Sequence, residues 1–526
     1  MKILIANDMG FEANELRVLA EVLNQKHRIT ICGMGTPAHQ RGNSFSMQGE
    51  PIRFDKMRYR LKSGEIDAYK FFGTPADMIS VMLGCIMENK RPDLVICGIN
   101  NGLTLGTDKF CSSNIGMAME SVFFNVPSLA VALPIKLGGH TAEEILPACN
   151  FIEKNLEKIK KIKLPTDTFL NISFPIVEKY KDYNGVEVIS VMDELTSLTE
   201  YDEKIDVNGD KYYWTKYLNK RKLDEKNTAA AVSLLADKKI IISPLSYNRT
   251  DYDALDMIKK NKGNDRKTKI KKILLVNEAG CFTPGIIALA KELNKSYRVT
   301  VVAPLNSFRG VGHAITTYER PLRSKQWFLL NGIKIWSVDG TPCDCVALAM
   351  NKILRSKPDL IISGIDYVNN RGEMIYSSGT VSAAFEGAIH DIPSMAVSAN
   401  IKDKMNERAY SLVTKFIYKN LGVLFNDIPK GGILNVNFPS KIDTKQVCWT
   451  HLTDGLLDNK YELEVNPFGR TFAWLQNKVE SFGMGVLEDK GDFYFLKKGH
   501  ITITPLRLSM MNPDAAEKVL NIGVEV

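Results

Sequence analysis

The chain has 526 residues, 44% of them hydrophobic and 24% charged, which is ordinary for a globular protein and long enough for more than one domain. The formal net charge of +8 is a mild excess that fits anionic small-molecule ligands and does not demand nucleic acid. No apolar run approaches the ~20 residues of a membrane helix, and the N-terminus lacks a signal-peptide pattern, so we expect a cytoplasmic protein. Nine cysteines without a CxxC pair predict reduced thiols rather than disulfides or zinc ligands.

Strand and helix patterns alternate along the first part of the chain. Lys2–Ala6 is a short apolar strand, Asn14–Leu23 carries apolar residues at helical spacing, and Arg28–Cys32 is strand-like again. Leu94–Cys97 and Leu129–Leu133 are continuous apolar runs, typical of parallel strands that are buried on both faces. This alternation predicts a doubly wound, mostly parallel α/β sheet with helices on both faces.

The second half of the chain repeats the first. Short blocks recur in the same order at a nearly constant separation, which predicts a tandem duplication with small loop deletions. The matched blocks are Lys2–Gly10 with Lys272–Gly280, Gly73–Asp77 with Gly340–Asp344, Pro92–Asn100 with Pro358–Asp366, Val126–Ser128 with Ile392–Ser394, Leu170–Pro175 with Leu434–Pro439, and Ile242–Leu245 with Ile503–Leu506.

A polar stretch separates the two copies. Residues 259–269 read KKNKGNDRKTK and contain no apolar residue, as expected of a solvated linker. We therefore predict a first domain over residues 1–258, a polar linker over 259–269 and a second domain over 270–526.

Two short polar loops are the first candidates for a binding site. In a doubly wound sheet, ligands bind beyond the carboxyl ends of the strands. Asn7–Gly10 follows the first strand, and Gly98–Gly102 follows the Leu94–Cys97 strand. A carboxylate and an amide brought together there can hold Mg²⁺ or Mn²⁺. The alternative is that these side chains only cap the helices that follow.

Several longer motifs carry a resemblance to a known family. Arg309–Thr316 reads RGVGHAIT, Asp339–Cys345 reads DGTPCDC, Ser378–Gly387 reads SGTVSAAFEG and Ile392–Ser398 reads IPSMAVS. In this order, the chain resembles the SurE family of metal-dependent nucleotide phosphatases over nearly all of both halves. The resemblance implies two tandem SurE-like domains, each with a C-terminal β-rich extension.

The resemblance also implies a metal site in the first half. The family holds its metal on two aspartates after the first strand, on a serine before Gly-x-Gly-His and on the asparagine of Ser-Gly-Ile-Asn. Asp8 and Asn100 match this set, whereas Met9 replaces the second aspartate and His39 the serine. Asp8, His39 and Asn100 are therefore the candidate metal ligands and catalytic residues, for Mg²⁺ or Mn²⁺. The alternative for His39 is a surface histidine that binds no metal.

A phosphate site is implied at the start of one helix in each half. The family binds phosphate with a Ser-Gly-Thr stretch that opens a helix, where backbone N–H groups and the helix dipole favour an anion. The candidate phosphate-binding residues are Ser112, Ser113 and Asn114 in the first half and Ser378, Gly379 and Thr380 in the second.

The metal set is replaced more thoroughly in the second half, which keeps His313. Glu278 and Ala279 stand for the two aspartates, Arg309 for the serine and Asp366 for the asparagine. Two carboxylates without a cation repel each other, and a guanidinium between them would act as a counterion. We therefore expect no metal there and expect Arg309 within hydrogen-bond reach of Glu278 or Asp366. Because this half keeps His313 and the phosphate helix start, it could bind a phosphate without hydrolysing it.

Two functions remain open on the sequence. The first is a phosphatase that hydrolyses a phosphomonoester of a nucleotide or related metabolite, with the first domain as the active copy. The second is a catalytically degenerate protein that binds a nucleotide or phosphorylated small molecule. Members of the family form homodimers by exchanging C-terminal segments, which Tyr212–Leu245 and Phe472–Leu506 resemble. We therefore predict an intramolecular pseudo-dimer, which allows further homo-oligomerisation.

Overall fold

The structure is a computed structural model that describes residues 1–46, 51–189, 199–216, 233–260, 269–316, 320–329, 332–441, 446–454, 460–476 and 490–521. Most of the predicted linker lies outside the described residues, so the domain boundaries stay a prediction.

Both halves contribute the same series of strands. Those of the first half are β1 Lys2–Asn7, β2 Arg28–Met34, β3 Ile52–Leu61, β4 Gly64–Phe72, β5 Leu94–Asn101, β6 Ser128–Leu133, β7 Thr168–Ser173, β8 Val186–Val188, β9 Tyr201–Ile205, β10 Lys211–Thr215 and β11 Ile240–Ser246. Those of the second half are β12 Lys272–Val276, β13 Arg298–Pro304, β14 Leu322–Phe328, β15 Lys334–Val338, β16 Leu360–Asp366, β17 Ser394–Ala399, β18 Gly432–Phe438, β19 Val447–Trp449, β20 Lys460–Val465, β21 Thr471–Gln476 and β22 Ile501–Arg507.

The α-helices lie between these strands and at the end of each half. They are α1 Asn14–Leu23, α2 Pro75–Val81, α3 Ser113–Phe123, α4 Ala142–Lys160, α5 Tyr252–Lys259, α6 Pro284–Leu293, α7 Pro342–Leu348, α8 Gly379–Ile389, α9 Ser411–Asp427, α10 Asp492–Lys497 and α11 Pro513–Asn521.

The strands form two sheets of eleven strands each, in equivalent orders. The first runs β20-β21-β3-β4-β2-β1-β5-β6-β7-β11-β8, and the second runs β9-β10-β14-β15-β13-β12-β16-β17-β18-β22-β19. In the first sheet, the six strands from β4 to β7 are parallel. β1 is fully buried beyond Lys2 because helices cover both of its faces. The predicted α/β class is confirmed.

One loop expected from the sequence is part of a strand. Gly98–Asn101 continues β5, with a shift in its pairing to β6 between Cys97 and Asn100. The prediction of a loop directly after Cys97 was therefore wrong. The pairing resumes with Asn100 opposite Ala132, and this extension carries the polar side chains beyond the apolar part of the strand.

Each sheet is completed by a hairpin from the other half. The β9–β10 hairpin adds to β14 of the second half, with Tyr213 opposite Leu322. The β20–β21 hairpin adds to β3 of the first half, with Ala473 opposite Ile52. Contact between the halves through C-terminal segments is therefore present. The predicted segments, Tyr212–Leu245 and Phe472–Leu506, were displaced along the chain. They begin within β10 and β21 and so miss β9 and β20, and they end in β11 and β22, which return to the sheets of their own halves.

No α-helix of the described residues is long and apolar enough to cross a membrane. All nine cysteines are free thiols, as the sequence predicted.

Candidate functional site

Asp8 is the carboxylate of the first-half site. It directly follows β1 at the carboxyl edge of the sheet and is 2% exposed. Its Oδ1 atom is buried without a hydrogen-bond partner among the described residues. Burial raises the pKa of Asp8, and the nearby charge of His39 lowers it in part. A buried, incompletely bonded carboxylate of this kind favours a cationic partner.

His39 lies in the loop that follows β2, and Asn100 lies near the end of β5; both strands pair with β1. The backbone N–H of Ala38 donates to the backbone oxygen of Asp8 at 2.9 Å, so the half-exposed His39 follows directly beside the aspartate. Nδ2 of Asn100 donates to the backbone oxygen of Gly102 at 2.8 Å, which fixes the orientation of the amide. The fold thus places the three candidate ligands at one edge of the sheet.

The candidate phosphate residues of the first half make bonds of their own. Ser112 caps α3 by accepting from the backbone N–H of Ile115 at 3.3 Å. The hydroxyl of Ser113 donates to the backbone oxygen of Ala38 at 2.7 Å, which ties the helix start to the His39 loop. Asn114 donates through Nδ2 to a β6 backbone oxygen at 3.1 Å, and its Oδ1 is buried without a partner. These bonds occupy the side chains of all three residues, so anion binding at this helix start would depend on its backbone N–H groups.

In the second half, a guanidinium lies between two carboxyl groups. Nη1 of Arg309 donates to Oδ1 of Asp366 at 2.8 Å, and its Nη2 lies 3.9 Å from Oε1 of Glu278. The guanidinium also stacks on Tyr367, 4.0 Å from the ring centroid. Burial raises the pKa of Glu278 well above its usual value, as does Asp366, while Arg309 opposes the rise. The predicted contact between Arg309 and a carboxylate is present.

The helix start of the second half is already in contact with a side chain. The backbone N–H of Thr380 donates to Oε2 of Glu278 at 3.2 Å. A β-carbon on Gly379 would lie 2.8 Å from the same oxygen, so glycine leaves the space that the glutamate fills. Ser378 caps the helix through Val381 at 3.1 Å. The start of α8 therefore holds a carboxyl group of this chain.

A buried glutamate in each half was missed by the sequence analysis. In the second half, His313 Nε2 lies 2.8 Å from Oε2 of Glu386, and His390 Nε2 lies 3.3 Å from Oε1. Burial alone would raise the pKa of Glu386, but the two histidines outweigh it and lower the pKa to about 2. Its counterpart Glu120 has Asn43 in place of the histidine, and an amide supplies no positive charge. The signal in the sequence was a glutamate kept in both copies of an otherwise apolar helix.

The environment of Glu120 has the opposite effect. Its Oε1 accepts from the hydroxyl of Ser80 at 2.9 Å. The pKa of Glu120 is raised to about 8, above all by burial; the Ser80 bond opposes the rise, and the nearby Asp77 and Glu373 add to it. The two halves therefore hold the same buried carboxyl group in different protonation states at neutral pH.

The two sites meet where the halves join. Phe45 N–H donates to the backbone oxygen of Gly310 at 2.8 Å, and Ile315 N–H donates to that of Gln40 at 3.2 Å. These bonds connect the residue that follows His39 with the loop that follows Arg309. Gln40 has a φ of 54°, a left-handed conformation that is costly for a non-glycine residue. The backbone oxygen of Gln40 accepts its hydrogen bond from Ile315, a residue of the second half.

A buried arginine also joins the two halves in this region. Arg249 of the first half donates through Nε to the backbone oxygen of Arg507 at 2.9 Å and through Nη2 to that of Leu508 at 2.7 Å. Its guanidinium lies 4.7 Å and 4.5 Å from the ring centroids of Phe110 and Phe385, one from each half. The two halves are therefore closely packed against each other around Arg249.

A family model described as "Survival protein SurE" matches residues 3–197 and 273–459, which together make up more than half of the chain. This chain belongs to the SurE family. The two matches, one in each half, are consistent with the tandem duplication and confirm the resemblance drawn from the motifs.

Individual SurE relatives match about one half of this chain each. Proteins named "5'-nucleotidase SurE" from Thermoanaerobacter sp. (strain X514) and Thermosipho africanus (strain TCF52B) are 38% and 35% identical over 241 and 254 residues. The alignments cover 45% and 47% of this chain and 93% and 95% of the relatives. A solved SurE protein from Aquifex aeolicus is 23% identical with a TM-score of 0.41, covering 50% of this chain and 100% of that one.

The motif resemblance implies a divalent metal, and this chain departs from the ligand set that the resemblance implies. Among the described residues, no group of three or more His, Cys, Asp and Glu side chains is arranged to hold a metal ion. In the first half, the unpartnered oxygen of Asp8 and the adjacent His39 still suit a cation. In the second half, Arg309 fills that role, so the residues there do not fit a metal.

Proposed function

We propose that this chain hydrolyses phosphomonoesters of nucleotides or related metabolites, and that its first half is the active copy. The proposal is carried by Asp8, a buried carboxylate with an unpartnered oxygen beside His39 at the carboxyl edge of the sheet. Membership of the SurE family and relatives named as 5'-nucleotidases support the same class of reaction.

In this proposal, Asp8, His39 and Asn100 hold a divalent metal. The set offers one carboxylate, one imidazole and one amide. Because one ligand is an imidazole nitrogen, the set suits Mn²⁺ better than Mg²⁺, which prefers oxygen ligands. When bound, such a cation polarises a phosphoryl oxygen and lowers the pKa of an attacking water. Asp8 contributes the negative charge, and the hydrogen bond of Asn100 to Gly102 fixes its amide in place.

The start of α3 receives the phosphate in the same proposal. Its N-terminal N–H groups and the helix dipole favour an anion next to Asp8. The Ser113 hydroxyl, bonded to Ala38, sets the distance between this helix start and the His39 loop. The phosphoryl group would thus lie between the metal ligands and the helix.

Phosphate release from a panel of nucleoside monophosphates tests the proposal, with Mg²⁺, Mn²⁺, Co²⁺ or EDTA. We expect release that requires a metal and falls by about a hundredfold or more in Asp8→Asn, because the only carboxylate of the site loses its charge. The matched control is Glu278→Gln, the same loss of a carboxylate at the equivalent position of the second half, which should change the rate by less than about twofold.

Two results would contradict the proposal. Loss of activity in Glu278→Gln with full activity in Asp8→Asn would assign catalysis to the second half. Tight nucleotide binding that EDTA leaves unchanged, without phosphate release under any metal, would favour the alternative of a nucleotide-binding protein without turnover.

A further inference from the structure

The second half contains an anion-binding helix start whose anion position is filled from within. Glu278 is 2% exposed, and its Oε2 accepts the backbone N–H of Thr380 at 3.2 Å, at the first turn of α8. The helix has eleven residues, long enough for its N-terminus to attract an anion. The carboxyl group therefore lies where a phosphate oxygen would accept the same hydrogen bond.

A second observation marks this place as a site for an oxygen-rich group. The hydroxyl of Thr380 is completely buried, and its Oγ1 has no hydrogen-bond partner among the described residues. Arg309 approaches the other carboxyl oxygen, with Nη2 3.9 Å from Oε1 of Glu278. Thr380 thus donates a backbone N–H to the carboxyl group and carries a buried, unpaired hydroxyl, and a guanidinium lies near the same carboxyl group; donors of these kinds also suit phosphate.

The first half differs at the residues that make this contact. Asp8 is one methylene shorter than Glu278, and one of its oxygens stays without a partner. Ser113 stands where the second half has Gly379, so a β-carbon is tolerated beside the shorter side chain. At Gly379, a β-carbon would lie within 2.8 Å of the Glu278 carboxyl group. The longer acid at position 278 therefore requires a glycine at position 379.

We propose that the Glu278 side chain occupies the phosphate position of the second half and closes that site to phosphate. The Arg309–Asp366 pair remains balanced in charge when Glu278 is removed, so the site can open without leaving an uncompensated ion. This inference does not depend on the nucleotidase activity proposed for the first half.

Titration calorimetry with inorganic phosphate tests the closure in the full chain. All variants carry Asp8→Asn, so the first site is the same in each of them, and EDTA is present throughout. Adding Glu278→Ala or Glu278→Asp should tighten phosphate binding by about tenfold or more relative to Asp8→Asn alone. Glu278→Gln is the matched control, because the amide fills the same space and should bring no gain. Thermal melting confirms that each variant is folded.

The inference is overturned by any of three results. The first is that Asp8→Asn alone binds phosphate as tightly as the variants with a shortened residue 278. The second is no gain in either Glu278→Ala or Glu278→Asp, in whichever of the two is folded. The third is a gain in Glu278→Gln as large as that in Glu278→Ala.

Discussion

Oε2 of Glu278 lies 2.8 Å from the point where a β-carbon on Gly379 would be placed. Real side-chain carbons do not approach that closely, so the glycine and the glutamate depend on each other. The second site keeps the glycine of the Ser-Gly-Thr stretch, and this glycine leaves room for the longer acid to reach the helix start.

Gly379→Ser should therefore destabilise the protein by about 1–3 kcal/mol, through overpacking against Glu278. In the Glu278→Ala background the cost should fall, which a double-mutant cycle from urea unfolding would measure. Gly422→Ser is the control, since a β-carbon on that helical glycine meets no atom within 4 Å. Equal costs at positions 379 and 422 would contradict the dependence.

Arg309→Ser should destabilise the protein by about 1–3 kcal/mol, because it leaves the buried Asp366 carboxylate without its counterion. Urea unfolding at neutral pH measures this change. The control is Arg320→Ser, whose guanidinium is 45% exposed and pairs with Asp339, and which should change stability by less than about 0.5 kcal/mol. A loss at Arg309 no larger than that at Arg320 would show that the guanidinium is not needed there.

Glu386 predicts a loss of stability in acid. Its pKa is lowered from 4.5 to about 2 in the folded protein, so its contribution is present above about pH 4.5 and is lost as the pH falls toward 2. Glu386→Gln should remove part of the acid slope of unfolding free energy between these values. An unchanged slope in the variant would argue against an ionised Glu386 held by His313 and His390.

Glu120 predicts the opposite trend at higher pH. Its pKa is raised from 4.5 to about 8, so its contribution is present below about pH 4.5 and declines as the pH rises through 8. Glu120→Gln should flatten the decline in stability between pH 5 and 8. Chemical unfolding across that range, in the wild type and in both glutamine variants, separates the two carboxyl groups. A variant as pH-dependent as the wild type would contradict the assignment.

The sequence predicted those parts of the fold that follow from local patterns. Helix α1 has the bounds that its apolar spacing indicated. The internal repeat predicted two equivalent α/β domains, and the two sheets have equivalent strand orders. Asp8 was found because it follows an apolar strand. The strand beyond Cys97 was missed because Gly98 and its polar neighbours have the composition of a loop, although pairing to β6 continues there.

Other features depend on distances that the sequence does not contain. Whether Glu278 reaches the start of α8 is decided by one methylene and by the position of the helix. The contact of His313 with Glu386 joins residues far apart in the chain. The predicted C-terminal segments overlap the exchanged hairpins only in β10 and β21. Their other described strands, β11 and β22, are apolar and complete the cores of their own halves.

The exchanged hairpins also set an order of events during synthesis. The edge strand β3 emerges early, yet the strand that covers it, β21, lies more than four hundred residues later. At ordinary elongation rates, that interval is roughly 20 to 80 seconds. The first half must therefore spend this time with an open sheet edge, the kind of surface that recruits strands from neighbouring chains. The charged side chains on β3 disfavour such pairing with other chains during synthesis. The edge is covered only when β21, in the last tenth of the polypeptide, has been made.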